Sequence, residues 1–247
     1  YKRQVYIWED KSKPDVFGMI AFKVGSVDDP EQYTGLAHYL EHVMFKGTQT
    51  IDALDWEKEK PIYEKVMARY DERAALSGPA AREAIDKGIN DLTREAAQYA
   101  AGNEFSLLVD HMGGQGLNAS TGYDQTEYHN SFPPSQLEKW LEIYSERLID
   151  PVFRGFQTEL EAVYEEYNMY NDDRGSRMRE FIYEQAFGDH PYARPIIGLP
   201  EHLKNPQLSK LIDFYNTWYG PQNMSIILVG NIDAKEAIPM IRDKFER

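Results

Sequence analysis

The stretch GLAHYLEHVMFKGT, residues 35–48, contains two histidines and a glutamate in the spacing H-x-x-E-H. At about 100° per residue on a helix, His38 and His42 stack one turn apart, and Glu41 lies beside them. Three apolar residues fall on the opposite side: Leu36, Leu40 and Val43. The stretch therefore predicts a helix over about 34–45 with an ionisable front and an apolar back.

The two imidazoles indicate a metal site. At i and i+4 on a helix they can bind one Zn²⁺ at about 2.0–2.1 Å, while a neighbouring carboxylate reaches a metal-bound water. This arrangement suits metal-assisted hydrolysis with Glu41 as general base. The alternative is a solvated helix face, because in a chain with 6 histidines the spacing arises by chance in roughly 1 chain in 75.

A catalytic zinc takes three protein ligands, so the motif requires a third ligand from elsewhere. The stretch ELEAVYEE, residues 159–166, is the best candidate, because Glu159 and Glu166 share one helical face with Ala162 and Val163. Two carboxylates buried on that face would cost free energy unless a cation or a hydrogen-bond donor met them. The alternative is that these glutamates are solvated charges.

The composition excludes several classes of protein. Lys and Arg number 27 against 41 Asp and Glu, and the net charge of −14 argues against nucleic acid or an anionic membrane as the main partner. The absence of cysteine excludes thiol nucleophiles and Cys-ligated metal, so any metal must bind to His, Asp or Glu. No apolar run reaches the ~20 residues of a membrane span.

The hydrophobic pattern predicts an α+β domain of two layers, in which a mostly antiparallel sheet packs against helices. Strands are expected at 3–8, 17–24, 116–122, 125–132 and 224–230, the first two as a hairpin or as neighbours. Further helices are expected at 105–112, 135–149, 156–170, 176–187 and 207–219, with a last one ending near Phe245. Residues 52–102 predict an inserted helical hairpin, and no linker divides residues 1–247, so a single domain is expected.

Five segments in order carry a family resemblance. The motif helix, GLNASTGYDQTEYH (116–129) and ELEAVYEE together resemble the insulinase and pitrilysin family of zinc peptidases, the inverzincins. GDHPYARPIIG (188–198) and WYGPQNMSIILVGNID (218–233) are also similar to the first domain of that family. The resemblance covers essentially the whole chain and implies the N-terminal catalytic domain of a bacterial-type member, which is the N-terminal half of a larger clamshell protein.

The resemblance implies a role for each matching residue. His38, His42 and Glu166 are implied as ligands of one Zn²⁺, Glu41 as general base on the zinc-bound water, and Glu159 as a group that orients the site. The implied activity is that of a zinc endopeptidase acting on peptides or unfolded polypeptides. The alternative is a non-catalytic subunit of the same fold that binds peptides or serves a structural role.

The resemblance also implies partners. Relatives bind substrate as an added strand at a sheet edge, so Asn118, Ala119 and Ser120 are implied as peptide-docking positions, the alternative being an ordinary edge strand. Family members are clamshells, so a second homologous half or partner chain is expected, and it would carry an Arg and Tyr pair that helps to hold substrate. The resemblance alone suggests a location in a bacterial periplasm or cell envelope.

The segment between His42 and Glu166 is longer than in the best-known members, and the hairpin accounts for the extra residues.

Overall fold

The computed structural model describes residues 4–204 and 207–246, in which five strands form one sheet. The strands are β1 Gln4–Glu9, β2 Val16–Phe22, β3 Gln115–Thr121, β4 Thr126–Phe132 and β5 Met224–Gly230. The helices are α1 Leu36–Val43, α2 Trp56–Ala75, α3 Pro79–Ala96, α4 Glu104–His111, α5 Leu137–Ile149, α6 Phe156–Asp172, α7 Arg174–Phe187, α8 Pro200–Leu203, α9 Leu208–Trp218 and α10 Ala234–Phe245. Each predicted element is present with slightly different bounds, and the short helix α8 was not predicted.

The sheet has the strand order β1-β5-β2-β4-β3, and only the pair β1 with β5 is parallel. Along β2 and β4, buried residues alternate with half-buried ones, so one face of the sheet packs against the helical layer. The contact is close, because a Cβ at Gly18 of β2 would lie 2.6 Å from the ring of Trp140 on α5. These features confirm the expected α+β fold with a mostly antiparallel sheet.

The predicted pairing of the first two strands is wrong. β5 lies between them, so that Leu228 pairs with Ile7 of β1 on one side and with Gly18 of β2 on the other. The reason is that the apolar run MSIILVG is best buried in an interior position, whereas β1 tolerates the edge, with Trp8 70% exposed. Arg3, the first residue of the predicted strand 3–8, lies outside the described residues.

Helix α1 is held at its start and along its back. It follows Gly35, whose φ of 89° suits glycine, and the buried carboxylate of Asp29 accepts hydrogen bonds from the backbone N–H groups of Gly35 and Ala37. Leu40 and Val43 are fully buried. The apolar back predicted for this helix is therefore confirmed.

The helical hairpin forms from α2 and α3, which pack on each other within the predicted range 52–102. A buried ion pair attaches it to the body, because Arg154 donates to the Glu59 carboxylate at 2.6 and 2.8 Å. The same guanidinium also donates to the Thr48 carbonyl at 2.8 Å.

Among the described residues, no helix has the length and apolar character that crossing a bilayer would require.

Candidate metal centre

Three potential ligands from two helices converge in the structure. His38 Nε2 on α1 lies 3.6 Å, and His42 Nε2 3.5 Å, from Glu166 Oε2 on α6. One ligand atom from each of these residues lies within 4.8 Å of the other two. Two imidazole nitrogens and a carboxylate oxygen form a donor set typical of a catalytic zinc, so the residues present fit this metal.

The surroundings of His38 favour the neutral form of its ring. Its side chain is 12% exposed, and its buried Nδ1 has no hydrogen-bond partner among the described residues. Burial and the neighbouring His42 lower the pKa of His38 to about 3. The imidazole therefore stays unprotonated near neutral pH, which is the form that binds a metal.

Glu159 lies behind His42. Its Oε2 is 3.6 Å from His42 Nδ1, and its Oε1 is 2.5 Å from Lys46 Nζ. Burial alone would raise the pKa of Glu159, but the pairing with His42 and Lys46 outweighs it and lowers the pKa. Burial would likewise lower the pKa of His42, but Glu159 and Glu41 raise it. A carboxylate at Nδ1 directs Nε2 of the same ring towards Glu166.

Glu41 lies next to the ligands and is connected to the sheet. Its side chain is largely buried, and Oε2 accepts a 2.6 Å hydrogen bond from Thr121 Oγ1 at the end of β3. No hydrogen bond within the described residues reaches Oε1. Burial raises the pKa of Glu41, whereas the Thr121 hydroxyl lowers it. Sequence reasoning missed Thr121, although it follows directly after the segment 118–120 that the resemblance singled out.

A cleft of about 300 Å³ borders His38 and Glu41. One wall is the edge strand β3, where Ala119 and Ser120 line the space; Asn118 does not, and instead pairs in register with His129 of β4. Residues of α6, α7 and the loop before α8 also line the cleft: Tyr170, Ser176, Arg179, Glu180 and Ile197. The cleft therefore joins the candidate ligands to a sheet edge.

The family of the chain follows from its sequence profile. The model for insulinase, peptidase family M16, matches residues 5–60 and 92–199, well over half of the chain. The chain belongs to the insulinase family. Residues 207–247 match the model for the M16 inactive domain. Residues 61–91, which the insulinase model leaves unmatched, lie in α2, in α3 and in the turn between them.

Relatives within the insulinase family are longer than this chain. It is 25% identical over its whole length to the probable zinc protease PqqL of Escherichia coli K12, covering 21% of that protein. A zinc protease of Mycobacterium leprae is 26% identical over 90% of the chain, which covers 39% of the relative. The zinc protease PqqE of Helicobacter pylori is 24% identical over 92% of the chain, which covers 40% of the relative.

Solved structures of similar proteins show the same fold. A protease from Helicobacter pylori superposes on 99% of the chain with a TM-score of 0.73 at 21% identity, and the match covers 48% of that protein. The first half of the periplasmic protease PqqL from Escherichia coli gives a TM-score of 0.72 at 24% identity, covering 98% of the chain and 43% of that structure. Pitrilysin gives 0.69 at 22% identity, covering 98% of the chain and 21% of that structure.

Proposed function

We propose that this chain is the zinc-binding, catalytic half of a metalloendopeptidase that hydrolyses peptides or unfolded polypeptides. The observation that carries the proposal is the convergence of His38, His42 and Glu166 beside the buried carboxylate of Glu41, at one end of a cleft. Membership of the insulinase family, whose relatives are named zinc proteases, supports it.

In this proposal His38, His42 and Glu166 hold one zinc ion. Zinc, when bound, supplies a Lewis acid that polarises a carbonyl group and acidifies a water molecule. Glu41 acts as general base, and because Thr121 occupies Oε2, Oε1 is the oxygen that takes the proton. Glu159, held by Lys46, keeps the His42 ring in the orientation that binds the metal.

The substrate is proposed to lie along β3. This strand is the edge of the sheet in the described residues, and its Ala119 and Ser120 line the cleft. An extended peptide could add to this edge through main-chain hydrogen bonds at positions 118–120, with Asn118 placed beside the cleft and not in its wall. The main chain of the substrate would then run past Glu41.

The rest of the active protein is proposed to be a second homologous half or a partner chain. This is supported by the relatives, of which the chain spans less than half. Residues 52–102 are proposed as an insert in the single peptidase domain 1–247. We propose a bacterial periplasmic or envelope location, supported by the similar Escherichia coli protease that is described as periplasmic.

The test of the metal site is zinc stoichiometry by elemental analysis on the purified 247-residue chain. We expect one zinc per chain and most of it lost in His42→Ala and in Glu166→Ala. The matched control is His190→Ala, because this histidine is exposed and lies outside the cluster. Full zinc in Glu166→Ala, or no zinc in the unaltered chain, would contradict the proposed centre.

A further inference from the structure

Arg147 of α5 is a buried charge that forms no close ion pair among the described residues, although the Glu41 carboxylate attracts it at longer range. The residue is 1% exposed, and Nη1 and Nη2 have no hydrogen-bond partner among the described residues. Within the described part of the chain, Nε of Arg147 donates a hydrogen bond to the carbonyl oxygen of Met44, at 2.9 Å. Met44 caps the C-terminal end of α1 and follows the candidate ligand His42 by two residues.

Aromatic rings surround the guanidinium group. Its central carbon lies 4.1 Å from the ring centre of Phe45, 4.2 Å from that of Tyr128 and 4.6 Å from that of Phe105. These residues lie just after α1, on β4 and on α4, so the group sits where three parts of the fold meet. Cation–π attraction offsets part of the lost hydration and fixes the plane of the guanidinium.

Stability does not account for an arginine at this position. Burial lowers the pKa of Arg147, which reflects the cost of keeping its charge away from water. Buried ionic groups can often be replaced by hydrophobic residues of similar volume without loss of stability when no closely paired charge is left behind, and Arg147 forms no close ion pair among the described residues. What an aliphatic side chain lacks is a rigid N–H directed at the Met44 carbonyl and a positive charge at the negative end of the α1 dipole.

The contact matters because α1 must meet α6 at the correct distance. At the front of α1, His42 lies 3.5 Å from Glu166 of α6. A second contact joins the two helices, because Tyr39 of α1 donates a hydrogen bond to the carbonyl oxygen of Phe156 at the start of α6. At the C-terminal turn, the described side chain that donates a hydrogen bond to the Met44 carbonyl is Arg147.

We propose that Arg147 is a positioning residue of the metal centre. It holds the last turn of α1, and with it His42 and Glu41, where Glu166 completes the ligand set. The inference rests on the proposed function, because it assigns the arginine to the same centre. A displacement of about 1 Å at such a centre is enough to impair it.

The test uses Arg147→Met and Arg147→Lys in the 247-residue chain, with zinc affinity measured by chelator competition and stability by thermal unfolding. In Arg147→Met we expect the zinc dissociation constant to rise about tenfold or more, with little or no fall in the unfolding temperature, because the cost of burying the guanidinium charge is removed. Arg147→Lys should lose a similar amount of zinc affinity. An ammonium group has no planar surface to stack between the rings, so it cannot keep that packing and donate to the Met44 carbonyl from the same position.

The matched control is Trp140→Phe, on the same helix and in the same core. It removes the 2.8 Å hydrogen bond to Asn130 and leaves the Arg147 contact with Met44 in place. This variant should unfold at lower temperature while keeping the wild-type zinc affinity. Unchanged affinity in Arg147→Met, full rescue by lysine, or an affinity loss that only follows stability in all three variants would overturn the proposal.

Failure of the proposed function would look different. It would be seen in the unaltered chain, as absence of zinc binding or as zinc binding without hydrolysis. In the second case the affinity measurements still decide the role of Arg147, because they do not depend on activity.

Discussion

Thr121 Oγ1 lies 2.6 Å from Glu41 Oε2 and joins the end of the edge strand β3 to the front of α1. The contact sets the orientation of the carboxylate and also its charge, because a hydroxyl donor favours the ionised form. It therefore connects the strand proposed to bind substrate with the group proposed to move the proton.

Thr121→Val, which keeps the shape and removes the donor, should impair hydrolysis most at low pH. The Thr121 hydroxyl lowers the pKa of Glu41, so its loss raises that pKa, and the base becomes ionised only at higher pH. A hydrogen bond to a charged group contributes about 1.5–3 kcal/mol, which predicts a loss of about tenfold or more. The measurement is kcat/KM against pH. Thr121→Ser should restore the profile, and an unshifted acid limb in the valine variant would contradict the role.

Glu41→Gln separates the base from the metal. The substitution keeps the size of the side chain and its contact with Thr121 but removes the proton acceptor, so hydrolysis should fall by ~10²- to 10⁴-fold. Zinc content should stay at the wild-type level, since Glu41 lies beside the ligand set and is not part of it. Elemental analysis and peptide cleavage on the same sample test both parts. Near-normal turnover would exclude Glu41 as the base.

The cluster of His42, Glu159 and Lys46 should behave as one unit. Lys46→Met leaves the Glu159 carboxylate without its cation, so the His42 ring loses a fixed neighbour, and the zinc dissociation constant should rise about tenfold. Glu159→Gln should give a similar loss. If the three groups act together, the variant that combines Lys46→Met and Glu159→Gln loses less zinc affinity than the product of the two single effects. Strictly multiplicative losses in chelator competition would show that the residues act separately.

Arg154→Met should destabilise the fold by about 3–5 kcal/mol, because it leaves the Glu59 carboxylate buried without a partner. The two side chains are 10% and 1% exposed, so little solvent screens the pair. Denaturant unfolding measures the loss. The control is Arg69→Met, which removes an exposed ion pair with Glu72 on the same helix and should change stability by less than about 1 kcal/mol. Equal losses in the two variants would show that the buried pair is not what anchors the hairpin.

The elements predicted well from the sequence are those set by local periodicity. The front of α1 follows from the spacing of His38, Glu41 and His42, because one helix fixes their relative positions. The shared face of Glu159 and Glu166 follows in the same way. The pairing of β1 with β5 does not, because it joins segments more than 200 residues apart and depends on which strand is best buried.

Arg147 is a functional candidate that sequence periodicity alone did not identify. An arginine near the end of an amphipathic helix is normally read as a solvated charge. A signal was present, because Arg147 follows Trp140 by seven residues and Tyr144 by three, so it lies on the apolar face of α5. Only the structure shows that the guanidinium turns inward to the Met44 carbonyl.

The isolated chain should bind zinc but cleave peptides weakly. Peptide hydrolysis places negative charge on the carbonyl oxygen. One hydrogen-bond donor aimed at that charge lowers the activation barrier by about 2.7–4 kcal/mol. The family resemblance puts an Arg and Tyr pair that holds substrate on the other half, and this chain spans less than half of its relatives. Supplying that half, as a downstream segment or a partner chain, should therefore raise kcat/KM on one unstructured peptide by about 10²-fold or more. Zinc affinity should not change, because His38, His42 and Glu166 all lie in this chain. Equal kcat/KM with and without the second half would show that the cleft between β3 and α7 is sufficient for catalysis.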